Sequence, residues 1–221
     1  MVVLLLLMLT SSAWAEQPMD RLARLIETGK AAEAEEIARR WLEKNGGDGR
    51  AGQVQELLSE AAWLVVGEHA SVEGLQAFRA EFPKSKQDEE ARLLESNLSF
   101  FLAQKTGTEA ALRQVVDTYP GTPAATEALV LAGAAAFAVV RAEGTSEALS
   151  GYLSRYPDGT DVPAVRELLM VRLWLDAEAM DTAPGWLALR AAFPDHPRAG
   201  EAREREATCA VRELGAAPSA A

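Results

Sequence analysis

Apolar residues recur along this chain with two alternating spacings that together repeat every 37 residues. The first spacing is i, i+3, i+7: Leu75, Phe78, Phe82; Leu112, Val115, Tyr119; Leu149, Tyr152, Tyr156; and Trp186, Leu189, Phe193. It lines one face of a short helix. Each stripe ends on an aromatic residue followed by proline, at Phe82-Pro83, Tyr119-Pro120, Tyr156-Pro157 and Phe193-Pro194. Proline has no amide hydrogen and disfavours helix in the residue before it, so each pair predicts a helix stop. Ser71, Thr108, Thr145 and Thr182 hold one common place ahead of the stripes. They predict N-caps, because their hydroxyls accept from the unpaired amides of a first turn. Gly107 and Gly144 precede two of these caps and suit a left-handed end to the preceding helix.

After each proline the second spacing predicts a longer helix, with apolar residues 8, 11, 15 and 18 positions on: Ala91, Leu94, Leu98, Phe101, then Ala128, Leu131, Ala135, Ala138. The first of these positions is always small or β-branched (Val54, Ala91, Ala128, Val165, Ala202), as close approach of two helices requires. Thr122-Pro123 adds an N-cap followed by proline at the first helical position. Each repeat therefore reads helix, tight turn, helix. Periods of this length mark units that bury their apolar faces only by stacking on neighbours. Projected backward, Gly46 takes the place of the proline and Trp41 that of Phe78, while Leu22, Leu25 and Ile26 form a half-repeat ending at Gly29.

The expected organisation is a signal peptide at 1–15, an N-terminal capping helix and turn at 16–33, and a repeat domain at 34–214. That domain divides into 34–70, 71–107, 108–144, 145–181 and 182–214, with a disordered tail at 215–221. In the last repeat Arg205 and Arg212 replace Leu94 and Phe101, which predicts a wet outer face on a terminal repeat. The leader is read from the continuous apolar run Val2 to Leu9, then Ser11, Ser12 and the small-x-small sequence Ala13-Trp14-Ala15. No basic residue precedes the run, which is far shorter than the roughly 20 apolar residues that cross a bilayer.

Composition narrows the partners. Twenty-two basic residues against 33 acidic ones give a net charge of −11, which disfavours nucleic acid, whose phosphates need clustered Lys and Arg. The lone Cys209 cannot form an internal disulfide and aligns with Leu98 as a small core residue. His69 and His196, the only histidines, fall in predicted turns without the helical partners a metal site needs. The acidic runs at 87–90 and 201–206 read as helix starts and solvated faces. No catalytic residue, metal or cofactor is expected.

Two periodic features and one helix remain. Trp63, Phe100, Phe137 and Trp174 form an aromatic ladder, read chiefly as rings packed on the next repeat and alternatively as the lining of a peptide groove. Arg92, Arg166 and Arg203 occupy equivalent positions; surface pairs such as Asp88 with Arg92 explain them, or a row of guanidinium groups for a partner's carboxylates. Ala128 to Val140 is apolar on every side, so part of it must touch a neighbouring turn of the array or await a partner. The expected partner-binding residues are accordingly Val130, Gly133, Phe137 and Val140, with Arg92 and Arg166.

The segments Gly29-Lys30-Ala31-Ala32-Glu33-Ala34, Trp41 and Gly46, Phe78 to Ala91, and Tyr119-Pro120-Gly121-Thr122-Pro123 to Ala128 resemble the tetratricopeptide-repeat family. The likeness is to envelope members such as the outer-membrane assembly lipoproteins and cell-division coordinators of Gram-negative bacteria. The period departs from that family's usual length of about 34. The resemblance implies an all-α, right-handed α-solenoid of TPR-like helix-turn-helix repeats. It also implies a non-enzymatic scaffold that presents a concave surface to a protein or peptide segment in the periplasm or envelope, peripheral association with membrane complexes included. Two alternatives stand beside it: an accessory or degenerate helical domain of an envelope hydrolase system, and a cytoplasmic interaction module with a mis-called start.

Overall fold

A computed structural model describes residues 18–216, so the expected leader at 1–15 and the last five residues lie outside the described residues. The described residues form eleven helices and no strand. They are α1 (Pro18–Glu27), α2 (Ala31–Asn45), α3 (Ala51–Glu68), α4 (Val72–Glu81), α5 (Asp88–Thr106), α6 (Glu109–Thr118), α7 (Pro123–Glu143), α8 (Ser146–Arg155), α9 (Val162–Met180), α10 (Ala183–Ala192) and α11 (Ala199–Ala216). The four helices α4, α6, α8 and α10 are each ten residues long and begin 37 residues apart.

The local chemistry that sets these ends is the chemistry the sequence predicts. Ser71, Thr108, Thr145 and Thr182 accept through their hydroxyls from the amides of Gly74, Ala111, Ala148 and Gly185, at 3.0, 3.3, 3.2 and 3.4 Å. Each aromatic residue caps the far end, its amide still donating to the carbonyl four residues back. Its own carbonyl accepts from the residue three further on, closing a tight turn over the proline. Between α7 and α8, Gly144 is left-handed at φ 63. The equivalent Asp181 adopts the same region at φ 44, where a non-glycine residue is strained. Arg212 donates to its carboxylate at 2.6 Å and also to its carbonyl.

The chain forms two compact bodies, divided after Leu102 inside α5. In the N-terminal body, α1 packs on α2 and α3, and α3 on α2 and α4. Leu22, Ala34, Val54, Leu58, Leu75, Phe78, Phe82 and Ala91 form its core. In the C-terminal body each helix from α6 to α11 packs on the next, and α7 also meets α9. Met170, Trp174, Ala177, Trp186, Leu189, Ala202 and Cys209 gather at its C-terminal end.

Two boundaries move. Helix α2 starts at Ala31, inside the expected cap, because the buried Ala31 and Ala34 extend its apolar face by a turn. Helix α11 runs through Gly215 to Ala216, so those two residues are helical rather than tail. The small or β-branched series Val54, Ala91, Ala128, Val165 and Ala202 is fully buried, as close helix packing demands. The rest of the expected long-helix stripe holds in part: Leu94 and Leu98 pack against the N-terminal core and Cys209, at the place of Leu98, is buried, but Phe101, Leu131, Leu168 and Leu175 are exposed. The buried face instead runs through Ala128, Ala132, Gly133, Ala136 and Val140 in α7, and through Val165, Leu169, Met170, Trp174 and Ala177 in α9. Arg212 stands where Phe101 and Leu175 also meet solvent, whereas Arg205 takes a place where Leu57 and Leu94 pack on the core and Leu131 and Leu168 are exposed.

Candidate binding cleft

Helix α7 is 21 residues long with a mean hydropathy of 1.7 over its most apolar stretch, enough by length and composition alone to cross a membrane. Core helices of folded domains also satisfy those criteria, and α7 packs its alanine-rich side on α6, α8 and α9. Its other residues divide the expected partner surface. Val140 is buried and Gly133 is covered. Phe137 is half-buried, 6.2 Å from the ring of Tyr152. Only Val130 of the four is exposed. The expected patch is thus mostly core, with Phe137 against Tyr152 of α8 and Gly133 against Tyr152 and the α8 cap Tyr156.

The aromatic ladder has the packing role. Trp63 meets Phe78 at 5.4 Å and Trp174 meets Trp186 at 5.1 Å, each ring contacting the short helix that follows it, as Phe137 does. The arginine row does not act as a set. Arg92 is half-buried and pairs with Glu89 at 3.3 Å, while Asp88, its expected partner, binds Arg79 at 3.0 Å instead. Arg166 and Arg203 are exposed.

Where α7 faces the turn after α8, a cleft of about 180 Å³ opens. Leu129, Val130 and Gly133 form one wall; Tyr152, Tyr156, Pro157 and Gly159 form the other, with Arg155 and Asp158 among the residues around it. The same site recurs in other repeats. In the N-terminal body, Gln55, Glu56 and Ser59 face Phe82, Pro83, Lys84 and Ser85 around 290 Å³. One repeat after α7, Met170 replaces Gly133 and Phe193 replaces Tyr156, and only about 10 Å³ remains. At Gly133 an added Cβ would stand in ordinary contact with the opposite wall, 3.5 Å from Tyr156 and 3.7 Å from the Tyr152 hydroxyl.

The two tyrosines differ in their polar ends. The Tyr156 hydroxyl donates to Glu109 Oε1 at 2.8 Å, and Arg155 donates to the same oxygen at 2.5 Å. The Arg113 guanidinium lies 5.6 Å from the Tyr156 ring centroid. Tyr152 is fully buried, and its hydroxyl has no protein partner. Burial pushes both hydroxyls above the ordinary tyrosine range, with Asp161 adding to Tyr152 and Glu109 to Tyr156. Asp158 is exposed at the cleft; neither it nor the half-buried Asp161 makes a side-chain ion pair or hydrogen bond among the described residues, and Asp161 leaves the start of α9 without a side-chain cap.

The remaining candidates are structural. Cys209 is buried, its thiol 3.3 Å from Asp181 Oδ1, and burial followed by that carboxylate pushes its pKa up, away from reactivity. His196 accepts the Arg198 amide in a turn. An ion pair between short and long helices escapes the sequence reading: Arg79 with the buried Glu95 at 2.9 Å, repeated as Arg190 with Glu206 at 2.9 Å. Its signal is the 37-residue alignment, which sets Leu42 with Leu58, Val116 with Ala132 and Leu153 with Leu169 at the same two places. No protein-family model matches the chain, and no curated protein is significantly similar to it.

Proposed function

We propose that this chain is a non-enzymatic protein-interaction scaffold of the TPR-like, right-handed α-solenoid type, exported to the bacterial envelope and acting there in assembly or trafficking. The observation that carries the reading is the recurrence of one cleft at equivalent places in two repeats, with different residues on a common backbone frame, and its filling by Met170 and Phe193 in a third. A repeated site with varied side chains is suited to reading successive parts of an extended partner. The partner is a protein or peptide segment, since the excess of acidic residues repels nucleic acid.

The test is photo-crosslinking in intact cells from single positions in both bodies, Val130, Leu175 and Gln55, with identification of the captured chain. One specific partner crosslinked at two or more positions is the expected result. Absence of any specific adduct at all three would end the scaffold reading. Cell fractionation with N-terminal sequencing tests export separately: a cytosolic chain that retains Met1 rules it out.

A further inference from the structure

Three features of the α7 cleft do not follow from its role in packing. The first is Gly133, which lies in a helix interior where glycine is the least favoured residue after proline. Alanine would fit, because the nearest contact of an added Cβ is 3.5 Å. The neighbours Ala132, Ala134, Ala135 and Ala136 are all alanine, so the helix omits a methyl only where it faces the two tyrosines. The second is the Tyr152 hydroxyl, fully buried at the inner end of that space without a protein partner, whereas buried polar groups are almost always hydrogen-bonded. The third is the carboxylate of Asp158 at the cleft, with that of Asp161 near Tyr152, both without a cation.

We infer that the cleft receives the aromatic side chain of a tyrosine or tryptophan from an extended peptide that carries Lys or Arg beside it. The ring lies between Leu129, Val130 and Pro157, its polar tip meets the Tyr152 hydroxyl, and the neighbouring cation meets Asp158. The size agrees: an apolar cavity of about 150 Å³ accepts benzene, and this cleft holds about 180 Å³. A polar tip is favoured because it gives the buried Tyr152 hydroxyl the partner it lacks, which an aliphatic or phenyl group does not. A basic neighbour fits the local carboxylates and the net charge of −11. Arg155 does not cancel them, because Glu109 already holds it at 2.5 Å. The inference rests on the scaffold reading and specifies the ligand of one of its clefts.

The experiment is an NMR titration of the full chain with four blocked pentapeptides: Gly-Lys-Tyr-Lys-Gly, Gly-Lys-Phe-Lys-Gly, Gly-Lys-Ala-Lys-Gly and Gly-Glu-Tyr-Glu-Gly. The first should shift the Gly133 and Gly159 amides and bind at least tenfold tighter than the alanine and glutamate peptides, and about threefold or more tighter than the phenylalanine peptide. Tyr152→Phe should abolish the tyrosine-over-phenylalanine preference, Asp158→Asn should reduce the preference for lysine, and Gly133→Ala should weaken all binding. Circular dichroism confirms that each variant folds. Equal binding of the four peptides, or shifts confined to Leu168, Val171 and Leu175, overturns the inference. So do the same shifts produced by dilution alone, which would seat a second copy of the chain, or by vesicles of phosphatidylethanolamine and phosphatidylglycerol. Each of those outcomes leaves the scaffold reading to the crosslinking experiment, where capture at Leu175 and Gln55 but not Val130 would separate the two.

Discussion

The contact between α4 and α5 at Arg79 and Glu95 yields an asymmetric prediction. The Glu95 side chain is only 3% exposed and that of Arg79 30%, and Arg79 holds both Glu95 and Asp88. Arg79→Leu removes a guanidinium that serves two carboxylates, the nearly dry Glu95 and the half-buried Asp88. Breaking a buried pair from one side costs about 3 to 5 kcal/mol when the remaining charge is uncompensated, and the further interaction that Glu95 keeps puts this case at about 2 kcal/mol. Glu95→Leu is milder, because Arg79 keeps Asp88 and reaches solvent; about 1 kcal/mol is expected. The double variant creates the Leu–Leu combination that the chain already uses at Leu42 with Leu58 and at Leu153 with Leu169. Replacing a buried pair by matched apolar groups is often neutral or stabilising, so the double variant should lie within about 1 kcal/mol of the parent or above it. Urea unfolding read by the fluorescence of Trp41 and Trp63, with hydrogen exchange of α4 amides to isolate this body, provides the measurement. The Arg79→Leu midpoint should fall by about 1 M or more. If Arg79→Leu costs no more than Glu95→Leu, or if the double variant costs the sum of the singles, the reasoning is refuted.

Gly133→Ala should raise the stability of the C-terminal body by about 0.5 to 1 kcal/mol in urea, through helix propensity alone. Thr122 is buried, accepts the Ala125 amide at 3.1 Å and donates to the Tyr119 carbonyl at 2.9 Å. Thr122→Ala should cost about 1 to 2 kcal/mol, against about 0.5 to 1 for the exposed cap Thr108→Ala. Gly144→Ala forces a side chain onto φ 63 and should cost about 1 kcal/mol. The raised Tyr152 and Tyr156 pKa values favour the neutral phenols in the fold. Their contribution is complete below the ordinary tyrosine pKa of about 10 and lost as pH rises through the folded values. Alkaline titration should therefore show the C-terminal body unfolding together with a late rise in phenolate absorbance, and Tyr152→Phe should shift that loss to higher pH.

The helix ends were legible because they are decided within four residues: a hydroxyl reaching the third amide on, or an aromatic-proline stop. The short helices were legible because one face of each is covered. The long helices were legible only in part. Helix α7 touches α6, α8 and α9, so it buries a wide arc, and a stripe through Leu131 and Ala138 fits the sequence as well as one through Ala132, Gly133 and Ala136. The cleft was only half legible. Gly133 and Val130 stand out in the sequence, but the opposite wall at 156–160 is brought there by a turn whose position no local spacing specifies. The ion pair lay in plain view at a separation of 16 residues and required aligning the repeats on both helices at once.

The alternation at that pair also bears on how a repetitive chain finds its own partners. Five near-equivalent short helices and five near-equivalent long ones offer many wrong combinations during folding, and repeat proteins characteristically fail by such misassembly. Leu42 with Leu58, Arg79 with Glu95, Val116 with Ala132, Leu153 with Leu169 and Arg190 with Glu206 give each repeat a combination unlike that of the next. Docking α4 on α7 would set Arg79 against Ala132, and docking α6 on α5 would set Val116 against Glu95, a charged residue against an apolar one each time. No two successive repeats carry the same combination, and a slip onto the following repeat sets a charge against an apolar residue at three of its four contacts, Val116 against Leu169 being the exception, so the contact acts as an address written into an otherwise uniform frame.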